Sequence, residues 1–231
     1  VLEVSGDVSG NWTTSYQYCV TDNITVPEGE TLTIDAGVRV KFYPGTGLVA
    51  NGRLEINGTD ENHVLFTSKL PTPLPSDWDN VELYGENNVI SYVDYEFATD
   101  GFSGDGASGS SFDHLTMVGS LSLTANGIYL PNSPNSSFTN NTITVAGEWG
   151  IFADYSEYSV FNYNTINGPS RAIESDYSPY SQFHGNSTIS PTYGIRAQNS
   201  ENASFNDNNI NSELQKYSLN LGLHKTIDWY I

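Results

Sequence analysis

Large apolar residues recur along this chain at a fixed interval. Phe112, Phe138, Phe161, Phe183 and Phe205 are separated by 26, 23, 22 and 22 residues. A second column, about 13 residues behind, holds Phe102, Ile128, Ile151, Ile173, Ile195 and Leu219, each preceded by a small residue. A third, five or six residues after the first, holds Tyr95, Met117, Ile143, Ile166, Ile189 and Ile210. Three apolar columns per period predict three short strands per turn of a solenoid. The same interval of 22 links Ile34 to Ile56 and Ile90 to Phe112, with one insertion near residues 68–79. Eight starts predict about eight coils, a rod of ~40 Å for strands stacked at the usual parallel spacing.

Alternation within the strands places Ile151, Ala153, Ile173, Ser175, Ile195 and Ala197 on the core side. Phe152, Glu174 and Arg196 then face outward. Helical repeats can have similar periods, but each unit here is crowded with Gly, Asn, Ser and β-branched residues, which disfavour helix and suit short strands joined by turns. The expected fold is all-β: a single-stranded, right-handed parallel β-helix with a period of about 22 residues. Residues 1–27 read as an N-terminal strand or cap segment, 28–221 as the solenoid and 222–231 as an apolar C-terminal tail.

Three positions beyond the column Phe, successive coils carry Asn141, Asn164, Asn186 and Asn208. Asn tolerates left-handed backbone, and its stacked amides can bond from coil to coil, so an asparagine ladder is expected. Asn186 also begins one of seven Asn-X-Ser/Thr triplets, with Asn11, Asn23, Asn57, Asn135, Asn140 and Asn202. A ladder amide is a poor glycan acceptor. Asn135 and Asn202, three before the column Phe in an expected turn, are the better candidates, followed by Asn23 and Asn11.

The stretch NITVPEGETLTIDAGVRVKFYPGTGLVANGRLEINGTDENHVLFTS, then NVISYVDYEFATDGF and the later Asn-x-Ile and Gly-Ile units, resembles the parallel β-helix repeat family. That family includes pectate lyases, polygalacturonases and archaeal and bacterial surface proteins. The resemblance covers residues 23–221, and the VPEGETLTIDAGVRVKF opening looks like the first coil of the surface-protein branch. It implies the fold and leaves the activity open.

The polygalacturonase motifs, an Asn-Thr-Asp, an Asp-Asp pair and a Gly-His-Gly, do not occur; His184-Gly185 is only a fragment. Arg171 and Arg196 fall in different columns and are expected on opposite faces. Asp100 and Asp105, in an acidic Gly-rich stretch with Asp113, are the calcium candidates, but the order of a defined calcium loop is missing and a solvated turn is the competing reading. No catalytic residue or cofactor other than calcium is expected. Asp77 and Asp79 flank Trp78 in the insertion, at the place for a cleft wall.

Eight Lys and Arg against 27 Asp and Glu give a formal charge of −19. Phosphate backbones and anionic lipid surfaces are repelled, which excludes nucleic acid as a partner. No apolar run approaches a membrane span, and the opening VLEVSGDVSGNWT lacks the features of a signal peptide. The composition suits an extracellular or cell-surface protein. Cys19, the single cysteine, is either a packed thiol or a disulfide link to another chain.

Aromatic residues give the stronger lead. Trp149, Arg171, Tyr193 and Tyr217 stand two positions before the second column, while Tyr155 with Tyr177 and Tyr158 with Tyr180 repeat 22 apart. Such columns suit a protein interface, sugar stacking or shielding of loop backbone. The tail ends on Ile227, Trp229, Tyr230 and Ile231, which would fold back as a cap or pair with a neighbouring subunit. The functional expectation is a self-associating homopolymer in a filament, sheath or surface layer. The alternative is a protein that binds or cleaves polysaccharide, with the cell envelope as its partner.

Overall fold

The computed structural model describes residues 1–118, 122–190, 192–212, 217–220 and 226–229, with side chains through residue 211. Among these residues there is no helix, and 24 strands join in one continuous parallel sheet system that winds as a right-handed solenoid of about nine turns. The first column runs in strict register from Trp12 through Ile34, Ile56, Ile90, Phe112, Phe138, Phe161 and Phe183 to Phe205. Trp12 heads a coil one turn before Ile34. The N-terminal residues therefore join the stack, with Leu2–Asp7 paired in parallel to Tyr18–Val26.

Parallel in-register stacking brings like residue onto like, so the core is made of columns. Successive Phe rings lie 5.5, 5.0, 4.8 and 4.7 Å apart and within 10° of parallel. The second column runs from Ile24 through Leu48, Val81, Phe102, Ile128, Ile151 and Ile173 to Ile195. The glycines before Ile128, Ile151 and Ile195 are a packing requirement. A Cβ on Gly150 would run into Ile166 Cγ2 and the carbonyl oxygen of Ala172.

The third column departs from the sequence reading at one point. Ile166 pairs with Thr188 and Thr188 with Ile210, so Thr188 holds the buried place and Ile189 points to solvent. The strict 22-residue step from Ile166 lands on Thr188, and strand alternation then turns Ile189 outward.

The insertion forms a loop between Val64–Ser68 and Val81–Leu83. It adds to the core. Trp78 is fully buried, stacks on Phe42 at 4.0 Å and donates Nε1–H to the Glu96 carbonyl at 2.7 Å. Asp77 closes the loop by accepting from Ser68 Oγ at 2.6 Å and from the Leu74 N–H at 3.0 Å. Near the C-terminus Tyr217–Asn220 pairs antiparallel with Thr226–Trp229. The side chains of Tyr217, Ile227 and Trp229, and all of Tyr230 and Ile231, lie outside the described residues.

Candidate functional site

The outward face of the second-column sheet changes character between residues 149 and 198. The strands Trp149–Phe152, Arg171–Glu174 and Tyr193–Arg196 lie in register. In each, the second and third residues are buried and the first lies at the surface. Two inward neighbours in a row break simple alternation and turn the first and fourth side chains to the same face. Arg171 and Arg196 therefore share a face, contrary to the sequence expectation, and both bond Glu174.

Glu174 is the centre of this face. Its Oε2 accepts from Trp149 Nε1 at 2.9 Å and from Arg171 Nη1 at 2.8 Å, while its Oε1 pairs with Arg196 Nη1. The carboxylate is almost wholly covered, and two guanidiniums offset the cost of desolvating it. Arg171 sits between two rings, with Cζ 5.8 Å from the centroid of Trp149 and 6.0 Å from that of Tyr193, within cation–π range. Tyr129 and Phe152 extend the aromatic surface, stacked at 4.6 Å, and Phe152 meets Trp149 edge-on at 4.9 Å.

At the next turn Asp154 and Asp176 each cap the coil that follows. Asp154 Oδ1 accepts the Asp176 N–H at 2.7 Å, and Asp176 Oδ1 accepts the Gln198 N–H at 2.6 Å. Asp176 also pairs with Arg196 Nη2 at 2.7 Å. Partial burial, reinforced by the neighbouring Asp176 and Glu174 carboxylates, raises Asp154 to about 6. Burial also raises Asp176, against the pull of its backbone hydrogen bond and of Arg196.

Beyond this turn lie the two tyrosine pairs. Tyr155 stacks on Tyr177 at 4.9 Å and Tyr158 on Tyr180 at 4.9 Å, with all four rings exposed. Beneath them runs a serine column that the sequence reading passed over: the N–H groups of Ser133, Ser156 and Ser178 each donate to the serine Oγ one coil on, at 2.9 Å. Its signal was the Ser following each turn Asn or Tyr at the same interval.

The remaining sequence candidates are dispersed. Asn141, Asn164, Asn186 and Asn208 bond in succession, Nδ2 to Oδ1, at 2.9 Å per step. Asp100 caps the backbone N–H of Asn126 and of Gly101, and Asp105 accepts from Asn132, so these two carboxylates are engaged separately. Cys19 is buried. Asn11 bonds Asp35 and Asn23 accepts the Gly47 N–H, whereas Asn135 and Asn202 stand exposed on turns.

A family model described as periplasmic copper-binding protein (NosD) matches residues 76–228, about two-thirds of the chain. The chain belongs to the NosD family. A second model, the pectate-lyase-like β-helix domain, matches residues 6–111. Together the two matches make the chain a member of the parallel β-helix proteins. Protein bark beetle of Drosophila melanogaster is 29% identical over 94 residues, which are 40% of this chain and 3% of that protein. The chain thus spans only a small fraction of that curated relative. No solved structure matches it.

Among the described residues, the donor group that comes together in this NosD-family chain does not fit the copper of the family description. Among the described residues, the group of three metal-ligating side chains that come together is Asp154, Glu174 and Asp176. All are hard carboxylates, and Glu174 and Asp176 already hold guanidiniums, whereas copper favours imidazole, thiolate or thioether. Cys19 and Met117 are buried at separate places in the fold. Also among the described residues, no helix is long and apolar enough to cross a membrane.

Proposed function

We propose that this chain is a β-solenoid of the periplasm or cell surface that binds neutral polysaccharide on the face built from Trp149, Arg171, Tyr193, Tyr129 and Phe152. The observation that carries the reading is Arg171 held between two rings while Glu174 fixes its guanidinium. The aromatic surface is thereby ordered before a ligand arrives, which lowers the entropy lost on binding. The extracytoplasmic placement is supported by the family's description as periplasmic.

Charge favours a neutral ligand. The site's guanidiniums are engaged by Glu174, Asp176 and Glu148, and a formal charge of −19 repels polyuronates. The same pairing favours binding over cleavage. Hydrolysis between two carboxylates needs one as acid and one as base or nucleophile. Both oxygens of Glu174 accept hydrogen bonds from Arg171, Trp149 and Arg196. Thermal melts with soluble neutral polysaccharides test the reading. A ligand that raises Tm for the wild type and not for a Trp149→Ala/Tyr193→Ala variant supports it, and no shift with any neutral polymer contradicts it.

A second reading is self-association into a filament, sheath or surface layer. It is supported by the strand Leu2–Asp7, which among the described residues is paired along one edge only. The tail residues Ile227, Trp229, Tyr230 and Ile231 would supply the complementary strand, whereas the buried Cys19 is packed in the fold rather than presented to a neighbour. Sedimentation at rising concentration separates the readings, since polymers lost on deleting residues 223–231 belong to this one alone.

A further inference from the structure

From Phe102–Gly104 onward, each second-column strand is followed by a turn with two left-handed residues three apart. In successive coils these are Gly106 and Gly109, Asn132 and Asn135, Tyr155 and Tyr158, Tyr177 and Tyr180, and Asn199 and Asn202, with φ between 52° and 74°. Gly and Asn are the ordinary occupants of that conformation, and a bulky ring adopts it against preference. The fold does not require the rings. Asn135, Tyr158 and Tyr180 make the same bond to the next coil, at 2.9, 3.0 and 2.9 Å. Nor are the rings core, since Tyr158 is 55% and Tyr180 46% exposed.

An acceptor triplet stands at each end of this stack. Asn135-Ser136-Ser137 lies one coil before Tyr158, and Asn202-Ala203-Ser204 one coil after Tyr180. Neither Asn side chain makes a hydrogen bond among the described residues. By contrast the amide nitrogens of Asn11, Asn140 and Asn186 donate to Asp35, Asp113 and the Phe161 carbonyl. Asn57 is exposed, but its register neighbours are Asp35 and Ser91, so no ring stands beside it. Asn132 and Asn199 bracket the Tyr155–Tyr177 stack but begin no acceptor triplet.

We propose that Asn135 and Asn202 carry N-linked glycans whose first sugars pack against the Tyr158–Tyr180 stack, one from each end. Each Asn is a single coil step, about 4.8 Å, from its ring and shares its backbone geometry. The sugar's apolar face covers aromatic surface that the stack already holds in place. The linkage needs a glycosyl phosphate donor and its transferase. Asn Nδ2 bonds to the anomeric carbon, the carbon–oxygen bond to phosphate breaks, the phosphate leaves with the electron pair and a transferase base takes the amide proton.

The test uses the full chain purified from its native source. Glycopeptide mapping is expected to find Asn135 and Asn202 modified and Asn140 and Asn186 bare. Removing the glycans is expected to lower Tm by about 2–4 °C in the wild type. In a Tyr158→Asn/Tyr180→Asn variant, which restores the residue of the neighbouring coils, the loss falls below about 1 °C. Bare Asn135 and Asn202 would overturn the proposal. So would a wild type indifferent to glycan removal, or an equal Tm loss in both proteins.

Discussion

Asn164 and Asn186 are joined twice: Oδ1 of Asn186 accepts from the backbone N–H of Asn164 at 3.1 Å and from its side-chain amide at 2.9 Å. The same amide donates to the Phe138 carbonyl at 2.8 Å, and Asn164 Oδ1 accepts from Asn141. Every polar atom of this fully buried side chain is therefore used.

Asn164→Ala leaves the Phe138 carbonyl and both Asn141 donors with lost partners inside the stack. Burying unpaired polar groups costs more than a single hydrogen bond contributes, so a loss of about 3 kcal/mol is expected. Urea unfolding of the variant against wild type measures it. A change under about 1 kcal/mol would mean that water replaces the ladder.

Thr188 offers the opposite case. It occupies a core position between Ile166 and Ile210, and its Oγ1 finds no partner among the described residues. Thr188→Val keeps the shape and removes the stranded hydroxyl. A gain of about 1 kcal/mol is expected, read as a rise in the urea midpoint with an unchanged m-value.

Asp154 gives a pH dependence of defined sign. Its carboxyl is raised to about 6 in the fold, above the ordinary value of 3.8. Between those values the folded state holds the proton more tightly than the unfolded chain, so this group favours folding in acid and loses that contribution as pH rises through about 6. Asp154→Asn keeps the acceptor for the Asp176 N–H and removes the charge. At pH 7.5 the variant is expected to be more stable by roughly 1 kcal/mol after solvent screening, and near pH 4 the difference should vanish. Thermal melts at the two pH values check the sign.

The Phe and Ile columns were legible in the sequence because in-register stacking repeats one side chain at one interval. Thr188 and Ile189 were exchanged because a spacing of five or six residues admits either, and only the strict step from Ile166 separates them. Arg171 and Arg196 were placed on opposite faces because strict alternation ignores the paired inward residues Ala172 and Ile173. Asp154 and Asp176 stand one period of 22 apart, but their grouping with Glu174 joins a different column, which no single interval reveals.

Glu174→Ala would leave Arg171 and Arg196 without their shared carboxylate in a largely covered site. A loss of about 3 kcal/mol is expected. Polysaccharide binding should weaken with it, because Arg171 is no longer fixed between Trp149 and Tyr193. Glu174→Gln, which keeps the shape and one acceptor, should retain part of both. Equal binding by all three proteins would remove Glu174 from the account of the site.

Polysaccharide binding by the Trp149 face is tested by affinity electrophoresis through gels containing a neutral polysaccharide or a polyuronate, comparing the wild type with Trp149→Ala. The wild type is expected to be retarded in a neutral gel, to lose that retardation on removal of the Trp149 ring, and to migrate freely in the polyuronate gel. Unretarded migration of the wild type in every neutral gel, or equal retardation of both proteins, would contradict binding by this face.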